Sequence, residues 1–156
     1  MSNLRIMNFE DGLSFIVQTV LSKAQYKPVI VFIDGFPNAG KTKLIRRSLE
    51  ELYNRGKFGC GLMRRDPLNR LPEYENGLDY LLIQDTGAYS PEVDIYTEQN
   101  FGKKPDLIVH IAKRFSLDYL SDIRKVELER GDYVVIENPD ARNKPDPRVA
   151  IKLDFE

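Results

Sequence analysis

Gly35, Gly40, Lys41 and Thr42 have the residue types and the spacing for one particular chemistry. They spell G-x-x-x-x-G-K-[ST], the spacing with which a chain curls successive backbone N–H groups around phosphate oxygens. Residues without a Cβ let the backbone come that close. Lys41 then neutralises β- and γ-phosphates, and the Thr42 hydroxyl ligates Mg²⁺. Phe36, Pro37, Asn38, Ala39 and Lys43 complete the stretch expected to contact the polyphosphate.

Two elements must position this loop. Val29, Ile30, Val31, Phe32 and Ile33 form a continuous apolar run, which suits a strand buried on both faces of a parallel sheet. After the loop, Leu44, Ile45, Leu49 and Leu52 recur at helical spacing, with Arg46, Arg47, Glu50 and Glu51 on the opposite face. A helix starting there points its positive end at the same anion. On this strand, loop and helix the chain resembles the P-loop NTPase superfamily, whose Walker A loop has this form.

Composition narrows the class. The chain has 156 residues, 42% hydrophobic and 30% charged, which fits one globular domain over residues 1–156. A net charge of −1 argues against a broad nucleic-acid surface. The single Cys60 excludes an internal disulfide and any multi-cysteine metal site, and it reads as core filler. His110 is the one histidine, so a zinc site or a Ser-His-Asp triad would depend on it alone. Its place in the apolar run LIVHIA makes it a strand-buried histidine. No apolar stretch reaches the roughly 20 residues needed to span a membrane, and the first residues lack a signal-peptide pattern. The expected location is therefore cytoplasmic, with no membrane partner.

Residues 1–8 read as an extended entry segment. The spacing over 9–25 predicts an amphipathic helix with Leu13, Ile16, Val17, Val20, Leu21 and Ala24 on one stripe and Asn8 or Asp11 as cap. A second strand is expected over 58–63, running into Arg64, Arg65 and Asp66, where groups at the end of a parallel strand face a ligand crevice. Residues 66–78 read as a loop. A third strand over 78–83 leads to Asp85, a carboxylate placed to order Mg²⁺. Ser90 and Pro91 open a helix to about Phe101. A fourth strand over 106–111 leads to Lys113 and Arg114, cations suited to stabilising a transferring phosphoryl group. A helix over 116–130, a fifth strand over 133–136, a proline-rich loop over 138–147 and a strand over 149–153 complete the pattern. The fold class is α/β: a three-layer, doubly wound, mostly parallel sheet of about five to six strands. The helix over 9–25 would cover the face left open by a chain ending in a strand.

Three functions share this scaffold. VFIDGFPNAGKT resembles the opening of small nucleoside and nucleotide kinases, and PDLIVHIAKR and GDYVVIEN look like their fourth and fifth strands. The resemblance implies an ATP- and Mg²⁺-dependent phosphotransferase acting on a small acceptor. Asp66 would be general base, Arg64 and Arg65 would hold the acceptor, and Asn138 to Arg142 would border the adenine. GFPNAGKT is also similar to the phosphate loop of translation-type GTPases. QDTGAY resembles their Asp-x-x-Gly element with Ala88 in the glycine's place, and Asn143, Lys144 and Asp146 match their guanine-reading letters. That likeness implies a GTPase or ATPase switch. The third reading is a nucleotide-binding interaction module without turnover.

Overall fold

The structure, a computed structural model, describes residues 5–35, 39–64, 71, 77–85, 90–113 and 133–141. Six strands form one all-parallel sheet: β1 (Arg5–Asn8), β2 (Val29–Asp34), β3 (Gly59–Met63), β4 (Tyr80–Asp85), β5 (Leu107–Ala112) and β6 (Tyr133–Glu137). Their order across the sheet is β1-β6-β5-β2-β4-β3. Three helices, α1 (Phe9–Ser22), α2 (Lys41–Asn54) and α3 (Pro91–Phe101), accompany it among the described residues. None of them is long and apolar enough to cross a membrane. The helix expected over 116–130 and the strand expected over 149–153 lie outside the described residues.

All six residues of β2 are buried, as are all six of β5. Side chains alternate faces along a strand, so each strand feeds two cores. Val29, Val31 and Ile33 join Leu13, Ile16, Val17 and Val20 of α1 and Leu44, Ile45 and Leu52 of α2. Ile30 and Phe32 join Leu81, Ile83, Ile108, Tyr133, Val135 and Val93, with Tyr96 and Phe101 of α3 packed against them. Helices thus cover both faces, α1 and α2 on one and α3 on the other.

Local chemistry sets the ends of the helices. Asn8 is extended, and its side chain accepts from the Asp11 N–H at 2.8 Å, capping α1. Pro91 supplies the fixed φ that suits a first helical turn, and Gly102, at φ 78°, closes α3 with its N–H on the Glu98 carbonyl. Arg47 clamps Glu10 with two bonds of 2.5 and 2.9 Å, tying α2 to α1. That pairing holds the Glu10 carboxyl below its ordinary range and lifts Arg47 above its own.

One strand carries no sequence signal. Residues 5–8 pair in parallel with β6, Arg5 opposite Val134 through Asn8 opposite Glu137. Arg5, Ile6 and Asn8 are exposed, so hydrogen bonding to β6 rather than burial makes this segment a strand.

Phe32 is fully buried at the centre of the sheet. Replacing it with alanine is expected to lower unfolding free energy by about 3–5 kcal/mol, read as a lower urea midpoint with an unchanged slope.

Candidate functional site

In a parallel α/β sheet ligands bind beyond the carboxyl ends of the strands, at the point where the strand order reverses. Here β2 leads by way of α2 to β3 and β4 on one side, and β5 and β6 lie on the other. The reversal falls between β2 and β5, where Asp34 and Gly35 end one strand and His110 to Ala112 end its neighbour.

Gly35 and Gly40, at the two ends of the loop leaving β2, are fitted closely to Ile111 and Asn138. A Cβ on Gly35 would run into the Ile111 carbonyl oxygen, which is backbone and cannot turn aside. Gly40 has φ 107°, a left-handed conformation, and a Cβ there would lie 2.6 Å from Asn138 Nδ2. Asn138 is itself buried. Its amide Nδ2 donates to the Ala39 carbonyl at 3.0 Å, and its backbone N–H donates to the Ala112 carbonyl at 2.8 Å. Residues 35, 39 and 40 are therefore held from the ends of β5 and β6.

Lys41 opens α2 and is 7% exposed. Its ammonium donates to the carbonyl of Gly35, which brings the two ends of the loop together. Burial pushes its pKa down, and the nearby charges of Asp34 and Asp85 only partly restore it. A cation this desolvated, tied back to a carbonyl six residues before it, is an unusual element in a purely structural turn. Thr42 and Lys43 follow in the first turn of α2, both exposed, with Lys43 Nζ 5.4 Å from the Phe9 ring centre.

A second group sits on the opposite face of the sheet. The register pairs Asp34 with Asp85 on β4 and with His110 on β5, which turns all three side chains to the side covered by α3. Asp34 is wholly buried. It meets His110 Nδ1 at 2.5 Å and accepts from the Tyr133 hydroxyl at 3.3 Å. Asp85 stands farther out, 25% exposed, in an ion pair of 2.8 Å with Arg64 Nε from the end of β3.

The residues expected to act together from sequence thus divide. Gly35, Ala39, Gly40, Lys41, Thr42, Arg64, Asp85 and Asn138 gather at one edge of the sheet. Arg64 meets Asp85 directly, and Asn138 secures the loop. Phe36, Pro37, Asn38, Arg65, Asp66, Arg114 and Arg142, with the stretch 143–146, lie outside the described residues. Cys60 is half-buried against the α3 face, where burial raises its thiol pKa and makes thiolate scarcer. Sequence reasoning missed the links from Asp34 to His110 and Tyr133. Their signal was an aspartate ending the run VIVFID in phase with Ile30 and Phe32, since a carboxylate on a buried face needs partners. Comparison with protein-family models, with curated proteins and with solved structures finds no match to the chain.

Asn138→Ala leaves the Ala39 carbonyl without this partner. Unfolding free energy is expected to fall by about 1–3 kcal/mol, and amide exchange at Gly40 to quicken more than exchange within β2.

Proposed function

We propose that this chain is a P-loop protein that binds a nucleoside triphosphate in the loop between β2 and α2 and, with Mg²⁺, transfers the γ-phosphoryl group to a small acceptor. In this reading the sheet and helices make a P-loop fold, to which α1 adds cover on the face of α2. The observation that carries the reading is Lys41, a buried ammonium at the start of a helix, folded back on the carbonyl of Gly35 at the strand-order reversal. Polyphosphate would exchange that single carbonyl for several anionic oxygens, which offsets the desolvation of Lys41.

Lys41 turns to the β- and γ-phosphates, and the free N–H groups of the first turn of α2 add their partial positive charge. The Thr42 hydroxyl and the Asp85 carboxylate would hold Mg²⁺. Among the described residues no group of three or more His, Cys, Asp or Glu forms a metal cage. One hydroxyl and one carboxylate suit Mg²⁺, which keeps most of its waters and takes phosphate oxygens. When bound, the ion neutralises charge on the β- and γ-phosphates. Asp66 takes the acceptor hydroxyl proton, Arg64 and Arg65 hold the acceptor, and Arg114 stabilises the transferring group. The segment from Asn138 to Arg142 would border the base, whether ATP or GTP is used.

Purified protein with Mg²⁺ and γ-labelled ATP or GTP, with and without nucleosides, nucleoside monophosphates and sugars, tests the reaction. Acceptor-dependent transfer of label supports it. Acceptor-free hydrolysis with guanine preference would make the chain a switch, and binding without product would make it an interaction module.

Lys41 titrates lower in the folded chain than in the unfolded one. Its charged form therefore costs stability in full below its folded pKa, and the cost lifts as pH rises toward the unfolded value of 10.5. Lys41→Met should leave the melting temperature at pH 7 equal or higher while weakening triphosphate binding on the order of 100-fold. A destabilised variant with normal affinity would refute the assignment. Asp85→Asn is expected to cut Mg²⁺-dependent turnover at least about tenfold more than it cuts nucleotide affinity, measured by single-turnover assay beside equilibrium titration.

A further inference from the structure

Arg64 and Asp85 come from neighbouring strands and from outside the loop, yet their ion pair stands where the proposed metal carboxylate is needed. Among the described residues, Lys41 stands near the charges of Asp34 and Asp85, and Arg64 pairs with Asp85. Asp85 is common to both sets: it bonds Arg64 at 2.8 Å, and its charge acts on Lys41. An Asp85 committed to a divalent cation has less negative charge left for either partner.

Arg64 is well placed to move. Its side chain is 34% exposed, and its contact with Asp85 runs through Nε, at the inner end of the guanidinium. Strands lie about 4.8 Å apart, so Arg64 on the β3 side starts about 10 Å from β2, two strand widths away. Its guanidinium already covers one of those widths, because it reaches Asp85 at the end of β4. The planar fork matches a phosphoryl group, offering two parallel N–H donors to two oxygens.

Resting on the nucleotide-binding reading above, we propose that Arg64 is a metal-released arginine: commitment of Asp85 to Mg²⁺ frees the Arg64 guanidinium to bind a phosphoryl oxygen of the loaded site. In the empty site Arg64 keeps Asp85 paired and positioned. In the loaded site it becomes a phosphoryl ligand. Metal and arginine thus compete for one carboxylate, and the losing cation is delivered to the substrate.

Titration of Mg²⁺ at fixed ADP and at fixed ATP, with binding followed calorimetrically for the unmodified protein and for Arg64→Gln, separates the possibilities. With ADP, which has no γ-phosphoryl group, the variant should need about threefold to fivefold less Mg²⁺ for half-saturation, because the competing cation is gone. With Mg²⁺ and ATP it should bind about tenfold more weakly if the oxygen belongs to the γ-phosphoryl group. If the oxygen belongs to a phosphorylated acceptor, ATP follows ADP and the weakening appears with a nucleoside monophosphate instead. A merely structural arginine would not give opposite signs in the two arms. An unchanged or higher Mg²⁺ requirement with ADP overturns the inference while leaving the nucleotide site standing. Failure of the unmodified protein to bind either nucleotide overturns the site itself.

A second measurement needs no substitution in the protein observed. The Arg64 Nε–H NMR signal, assigned by its loss in Arg64→Lys, should exchange faster with water when Mg²⁺ and ADP are added, and should not change with ADP and a chelator. A signal indifferent to the metal overturns the inference.

Discussion

A carboxylate with no exposed surface, Asp34 at the end of the central strand, constrains everything around it. Burying such a group is unfavourable unless hydrogen bonds replace its water. Here the replacements come from β5, through His110, and from β6, through Tyr133. Three adjacent strands are thereby fixed to one another at the level where the chain leaves the sheet. Slippage of β5 by one residue would turn His110 to the other face and leave Asp34 without it. The neighbouring Gly35 then has a defined place against Ile111, and Lys41 has a defined carbonyl to return to.

The charges at this edge oppose one another in layers. Asp34 is wholly buried and hydrogen-bonded, Lys41 is buried and desolvated, and Asp85 and Arg64 meet farther out where water still reaches. Depth decides what each can do. The deep group is held by the frame, whereas the outer pair is partly screened and exchanges partners at low cost. Gly35 and Gly40 keep their places beside Ile111 and Asn138 only because each lacks a side chain.

Much of this was legible in the sequence because the signals are local. The run from Val29 to Ile33 could be buried only as a central strand, and the stripe Leu44, Ile45, Leu52 could face only inward. The stripe Leu13, Ile16, Val17 and Val20 likewise became the buried face of α1. The place of Asp85 at a strand end was legible because an apolar run leads to it. What stayed hidden is set by partners distant in sequence. Arg5 to Asn8 have no apolar alternation, and only β6 makes them a strand. The Arg64–Asp85 pair and the bonds of Asp34 depend on strand order, which neither composition nor period reveals. Asn138 was expected near a base. Its bond to the Ala39 carbonyl follows from β6 lying beside β5, a neighbour relation invisible along the chain.

Among the described strands β1 stands at the margin of the sheet, and this bears on how the molecule is made. It is the first described strand in the chain and pairs with the last described one, β6, so residues 5–8 meet residues 134–137. Such a contact is formed late, since the entropy of joining distant segments is lost before their pairing compensates it. During synthesis α1 emerges long before β6, and the face of α1 at Gly12 must wait for the Ile136 side chain that packs against it. Until then the growing chain carries a greasy helix with half a seat, the kind of surface that chaperones attend. The same pairing makes the two distant segments a mutual lock: loosening either one opens the same margin of the sheet.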